Sequence, residues 1–313
     1  MTTINAPIPL PIHKRLSLAL SDIKIAHSVF ALPFAILATF LVAPRSGKDN
    51  SIDFSNLPIT LTLIILAMIF ARTWAMLVNR LADANLDAAN NRTKNRPFAN
   101  GSLTKNDGLL LLTATALAFI ATTTAFGFLD NNWLPTILSI PVLIWIAFYS
   151  FTKRFTFLCH LFLGGALAAS PIAAAIAVNP QLLPHTPAIY TLAFMVLTWV
   201  AGFDIIYALQ DLDHDQQANL NSIPAKFGWK NAIRISRLLH AISLIALYST
   251  WKLAPQLGPL FAIAIPLTTA LLIYEHAILA KRGKSGIPIA FFTLNGLISL
   301  TLGLLGTLDI ILH

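Results

Sequence analysis

The chain has 313 residues, of which 56% are hydrophobic and 11% charged; its mean hydropathy is +0.72 and its formal net charge +8. That balance excludes a soluble globular domain and points to a polytopic membrane protein. The basic residues sit in loops between apolar runs, which reads as membrane topology plus an anionic substrate rather than nucleic-acid binding, and the single cysteine, Cys159, excludes an internal disulfide.

Met1 to Ser21 contain no signal h-region or cleavage site, so residues 1–21 are expected to form a cytosolic arm. No hydrophilic linker divides the remainder, and 22–313 reads as one membrane domain. Nine apolar segments are long enough to span, at about 25–44, 58–80, 108–129, 133–151, 156–178, 186–210, 232–251, 257–280 and 287–311. Pro44, Pro180, Pro184, Gly258 and Gly286 mark several of their ends. The predicted fold is an all-α bundle of about nine transmembrane helices around a central cavity.

Lys14, Arg15, Lys24, Arg92, Lys94, Arg96, Lys105, Lys153, Arg154, Lys226, Lys230, Arg234, Arg237, Lys281, Arg282 and Lys284 fall on one side of the predicted membrane. Only Arg45, Lys48 and Lys252 fall on the other. The positive-inside rule places the first side, with the N-terminus, in the cytoplasm.

At the polar end of the second span, Asn79, Asp83 and Asp87 recur every four residues, stacking oxygen ligands on one helical face. The spacing returns at the end of the sixth span in Tyr207, Asp211 and Asp215. One acidic cluster at a helix end is ordinarily a solvated cap; two on matched spans, in a chain with 13 acidic residues, need a reason. The spans are separated by an even number of crossings, so both columns emerge on the cytoplasmic face. If the two halves form a tandem repeat, the columns face each other across the cavity. Mg²⁺ takes carboxylate and amide oxygens and completes its shell with phosphate and water, so the pair suits a metal-bound diphosphate whose remaining charge Lys and Arg neutralise.

With these motifs the chain resembles the UbiA superfamily of intramembrane prenyltransferases. The first family motif, Asn-x-x-x-Asp-x-x-x-Asp, matches Asn79, Asp83 and Asp87; the second matches Asp211 and Asp215 after Tyr207. Asp22-Ile23-Lys24-Ile25, Phe30-Ala31-Leu32-Pro33-Phe34, Arg92-Thr93, Arg96-Pro97, Tyr207-Ala208-Leu209-Gln210-Asp211 and Ser222-Ile223-Pro224-Ala225-Lys226-Phe227-Gly228 add to the likeness, which runs from about Asp22 to Gly306. It is greatest to the 4-hydroxybenzoate polyprenyltransferases, with the naphthoate enzymes of menaquinone synthesis next. Asn221 departs from the former, which often place Lys there.

The resemblance implies Mg²⁺-dependent transfer of a polyprenyl group from its diphosphate to a small aromatic acid at the cell inner membrane, in quinone biosynthesis. It assigns Asn79, Asp83, Asp87, Asp211 and Asp215 to metal and diphosphate, with Asp83 and Asp211 central to catalysis. Arg80, Lys153 and Lys24 are candidate diphosphate contacts, Lys153 being equally readable as topology-setting charge beside Arg154. Tyr207 is expected to help position diphosphate or acceptor. The loops 88–106 and 216–230 are candidate lids.

Two residues stand out inside apolar runs. Asp204 lies two helical turns before Asp211 on about the same face, and an intramembrane carboxylate signals a functional site. It either orients or deprotonates the acceptor phenol or bonds a neighbouring helix. Arg72, placed likewise before Asn79, either takes the carboxylate of an aromatic acid or pairs with Asp204. His27, His160, His240 and His276 are scattered without ligand spacing and read as satisfied or interfacial side chains. Gly164-Gly165 reads as close helix packing. The rivals are a 1,4-dihydroxy-6-naphthoate acceptor, a secondary transporter relaying ions through Asp204 and Arg72, and a non-catalytic scaffold. Prenyl length and oligomeric state are not set by these motifs.

Overall fold

The computed structural model describes residues 11–23, 25–46 and 51–312; Lys24 and Lys48 therefore lie outside the described residues. The order is α1 (Ile12–Ile23), a 3₁₀ turn (Ile25–Phe30), α2 (Leu32–Leu41), a short antiparallel pair β1 (Arg45–Ser46) and β2 (Ser51–Ile52), α3 (Leu57–Ala89), α4 (Lys105–Asp130), α5 (Leu134–Thr152), α6 (Cys159–Val178) and α7 (Pro187–Ala208). A 3₁₀ turn at Leu209–Asp211 leads into α8 (Leu212–Gln217), followed by α9 (Ile223–Leu253), α10 (Pro259–Arg282), a π-turn at Ile289–Leu294 and α11 (Asn295–Leu312).

Eight of the described helical segments are long and apolar enough to cross a membrane, and the segment through α1 and α2, bent by 43°, makes a ninth if it counts as one span. The chain is a multi-pass membrane protein. The first expected span differs most from its reading. It is split into a 3₁₀ turn and α2 with Pro33 in its first turn, where a missing N–H costs no helical bond. The span expected from 232 begins in the structure at Ile223, with Gly228 at φ 72° interrupting the helix before the apolar part; a left-handed residue there suits glycine.

The centre of the bundle is α7, whose most apolar window is 72% buried, against 22% in α3, α4 and α5. Trp199, Met195, Ile205 and Ile206 of α7 pack in one core with Phe34 and Leu37 of α2, Phe261 of α10 and Ile298 of α11. Small residues allow the approach of α6: a Cβ on Gly164 would stand 2.3 Å from the Leu197 carbonyl oxygen. A smaller cluster of Ala75, Phe119, Leu143 and Ile146 joins α3, α4 and α5. Helix ends are satisfied locally. Thr104 and Asp107 cap α4 reciprocally, and Asp309 of α11 accepts the Phe261 N–H at 2.9 Å at the start of α10.

Candidate active site

Both acidic motifs open on one cavity of about 270 Å³ between α3 and α7, so the columns do face each other. Of the predicted site residues, Arg72, Asn79, Arg80, Asp83, Asp87, Lys153, Asp204, Tyr207, Asp211 and Asp215 all line it.

The first motif lies on α3, which runs unbroken through the apolar stretch to Ala89 and keeps the fourfold spacing in a single column. Asp83, with its side chain 4% exposed, accepts from Lys153 Nζ at 2.5 Å and from Arg154 Nη2 at 2.9 Å. Arg154 also donates to the carbonyls of Ser150 and Ala82, which fixes its guanidinium. Asn79 Nδ2 donates to Asp83 at 3.3 Å, and Asp87 receives Arg96 Nη1 at 2.8 Å. Arg80 donates to Asn79 at 3.0 Å and pairs with Asp22 at 3.2 Å.

The second motif departs from the expected continuous column. The helix tightens into the 3₁₀ turn between Tyr207 and Asp211, and Asp215 belongs to α8. Such a turn changes the rise and the aim of every side chain beyond it. Asp211 receives Arg92 through Nε at 2.9 Å and Nη2 at 2.5 Å, and Asn90 Nδ2 at 3.0 Å. Arg92 also donates to the Tyr207 hydroxyl at 3.3 Å. Burial disfavours the Arg92 charge, but the bonds to Asp211 and Tyr207 outweigh it and hold the guanidinium above the usual arginine range. Asp215 accepts from Ser222 Oγ at 3.1 Å. The α3–α4 loop therefore reaches across the cavity and ties the first motif to the second. Of the second candidate lid, residues 216–217 close α8 and residues 223–230 belong to α9, which is interrupted at Gly228.

Deeper in, Asp204 does not pair with Arg72. It lies 2.7 Å from Nδ1 of His160, a histidine that spacing alone gave no role. Arg72 makes no hydrogen bond or ion pair with any described residue, although its Nε is buried. Beyond Arg72 and Tyr149 a second, apolar cavity of about 280 Å³ lies between α3, α4, α5 and α6, lined by residues such as Ile64, Ala71, Phe119, Val142 and Ala166. Phe30, Phe203, Phe291 and Tyr207 stack along the first cavity, with ring centroids 5.1 Å apart for Phe30 and Phe203 and 4.2 Å for Tyr207 and Phe291.

Arg92, Arg96, Arg154 and His160 are the side chains that sequence reading left without a place in the site. Their signal was present as cations, or a histidine, flanking the apolar ends that carry the motifs. Of the other described histidines, His214 lies within the second acidic motif and lines the cavity, His27 lies at the cavity wall among aromatic rings, and His240 meets His276 at 3.1 Å between α9 and α10.

The donor set suits a hard divalent cation, since Asn79, Asp83, Asp87, Asp211 and Asp215 offer only oxygen. Among the described residues, no three acidic, histidine or cysteine side chains are gathered closely enough to hold an ion unaided. That fits a cation that keeps few protein ligands and shares its shell with phosphate.

The UbiA prenyltransferase family model matches residues 31–297. A 4-hydroxybenzoate octaprenyltransferase of Nitrosomonas europaea is 32% identical over 229 residues, covering 73% of this chain and 75% of its own. The apo structure of a UbiA homolog from Aeropyrum pernix K1 superposes with a TM-score of 0.77 at 27% identity, covering 91% of this chain and 98% of that one. A UbiA homolog from Archaeoglobus fulgidus, solved bound to GPP and Mg²⁺, shares the fold at TM-score 0.66 and 20% identity, over 94% and 99% of the two chains. The chain belongs to the UbiA prenyltransferase family.

Proposed function

We propose that this enzyme transfers a polyprenyl group from polyprenyl diphosphate to 4-hydroxybenzoate, with Mg²⁺ as the metal, at the cytoplasmic side of the inner membrane. The observation that carries the reading is two adjoining cavities of different chemistry that share Arg72 and Tyr149 in their walls. A rim of carboxylates and cations adjoins an apolar cavity, and Arg72, whose buried Nε has no hydrogen-bond partner among the described residues, stands where the two meet.

Asp83, Asp87, Asp211 and Asp215, with Asn79, would hold the cation at the rim. Bound there, Mg²⁺ supplies charge neutralisation for the departing diphosphate. Lys153, Arg154, Arg92 and Arg96 are paired to the same carboxylates, so arrival of a diphosphate lets them turn to phosphate oxygens without crossing an uncharged space. The allylic carbon–oxygen bond then ionises, and the faces of Phe30, Phe203, Phe291 and Tyr207 stabilise the cation while excluding water. The prenyl tail lies in the apolar cavity. Arg72 takes the acceptor carboxylate through two parallel N–H bonds. Asp204 accepts the phenolic proton, and the ortho carbon attacks the allylic cation to give a dienone. The ring C–H proton passes to the departed diphosphate to restore aromaticity, and Asp204 returns its proton to the oxygen. The relative from Nitrosomonas europaea supports 4-hydroxybenzoate over a naphthoate acceptor. The family match and the 4-hydroxybenzoate octaprenyltransferase relative favour prenyl transfer over a transporter relaying ions through Asp204 and Arg72.

The test is prenyl transfer by purified protein in detergent with Mg²⁺, a polyprenyl diphosphate and either 4-hydroxybenzoate or 1,4-dihydroxy-6-naphthoate. Product from 4-hydroxybenzoate alone is expected; product from the naphthoate alone would move the enzyme to menaquinone synthesis. Arg72→Leu should raise KM for 4-hydroxybenzoate by about 10- to 100-fold, the worth of a charged hydrogen-bonded contact.

A further inference from the structure

The imidazole of His160 is buried, its side chain 3% exposed, at the start of α6. Its Nδ1 stands 2.7 Å from Asp204 Oδ2. Its Nε2 accepts the backbone N–H of Ile223 at 3.2 Å. A backbone N–H can only donate, so Nε2 carries the lone pair and the ring proton is on Nδ1. The hydrogen shared with Asp204 therefore comes from His160, and Asp204 receives it as a carboxylate. No described residue engages the other oxygen of Asp204.

The donor that sets this tautomer comes from the turn after the second acidic motif. That turn is held at several points. The Asn221 N–H donates to the Lys153 carbonyl at 2.7 Å, Cys159 Sγ donates to the Asn221 carbonyl at 3.4 Å, and Ser222 Oγ donates to Asp215 at 3.1 Å. The departure at Asn221 is thus accommodated through its backbone. One run of bonds leads from Asp215 at the rim, through Ser222 and Ile223, to His160 and Asp204.

We propose that His160 is a positioning residue for Asp204. With its tautomer set by the Ile223 N–H, it orients the carboxylate, and it couples readiness of the acceptor's base to the order of the turn beside the second motif. The proposal rests on Asp204 acting as that base. In that step the phenolic O–H bond breaks, the proton passes to the unengaged oxygen of Asp204, and the electron pair stays on the substrate as phenoxide. A histidine that only filled space would leave the acceptor step untouched.

The test uses the full-length protein in detergent. Steady-state kinetics with polyprenyl diphosphate and 4-hydroxybenzoate are compared for wild type, His160→Leu, His160→Gln, Asp204→Asn and His160→Leu in the Asp204→Asn background. Mg²⁺-dependent binding of a prenyl thiodiphosphate is measured alongside. Loss of a hydrogen bond to a charged group predicts that His160→Leu lowers kcat about tenfold or more with thiodiphosphate affinity unchanged, while His160→Gln, which keeps a donor and an acceptor, stays within about threefold of wild type. In the Asp204→Asn background, His160→Leu should cost nothing further. Wild-type kcat in His160→Leu, equal losses in Leu and Gln, or a loss that persists beside Asp204→Asn would overturn the proposal. Wild-type turnover in Asp204→Asn would instead remove the base itself. Should His160→Leu fail to bind the thiodiphosphate, His160→Met, with a more adaptable apolar side chain, takes its place with the same expected loss.

Discussion

The two acidic motifs share a spacing and a cavity but are built differently. The first stands on α3, a helix of 33 residues, and its central carboxylate is held by two cations from the end of α5 and the turn beyond. The second straddles a 3₁₀ turn between α7 and α8, and its central carboxylate is held by the loop that follows the first motif. The rigid motif is anchored by its scaffold. The other depends on two connecting segments, and with them on any movement that admits a diphosphate. A similar pattern of residues therefore supplies a fixed jaw and an adjustable one.

The largest effect belongs to the fixed jaw. Asp83→Ala removes a proposed metal ligand and leaves Lys153 and Arg154 without their shared carboxylate, so kcat should fall by about a hundredfold or more in the prenyl-transfer assay. Asp211→Ala should approach that loss, whereas Asp213→Ala, two residues away, should leave turnover unchanged. Asp213 is 75% exposed and meets only Lys284 among the described residues, a surface pair worth little. Equal losses at Asp211 and Asp213 would dissolve the distinction between site and surface. Arg92→Ala should cost about tenfold in kcat/KM for the prenyl diphosphate, since the adjustable jaw loses its clasp but keeps its ligands. Ser222→Ala is the mildest change. It frees one bond to Asp215 and one cap on α9, and should lower Tm by a few degrees, about 1 kcal/mol of stability, read from the melting curve in detergent.

The bundle was legible because membrane helices need long apolar runs, and those runs survive in the structure, although α3 and α9 extend well beyond theirs and the first is split. The motifs were legible because ligands on one helical face must recur every three or four residues. What the pattern could not carry was pairing across distance. The Arg92 bond to Asp211 and the His160 bond to Asp204 join separate elements, and no local periodicity requires either. The Asp204 carboxylate was conspicuous because its charge sits in an apolar run. His160 was not, because a neutral histidine at a span end carries no such penalty. The 3₁₀ break at Leu209–Asp211 was equally hidden, since the residues on both sides favour helix. Asp309 and Glu275 show the reverse case. Both are buried acidic residues outside the site, and their partners are structural: backbone N–H groups for Asp309, the amide of Asn295 for Glu275. Burial of a charge thus marks a place where partners must exist, and only the fold tells which kind.

The central claim is that both jaws close on one metal-bound diphosphate. It is tested most directly by titrating Mg²⁺ into wild type, Asp83→Ala, Asp211→Ala and the double variant while measuring binding of a prenyl thiodiphosphate. The account predicts that either single change removes most of the Mg²⁺-dependent affinity and that the double variant loses little more. Losses that simply add, with each single variant keeping a Mg²⁺-dependent site of its own, would contradict it.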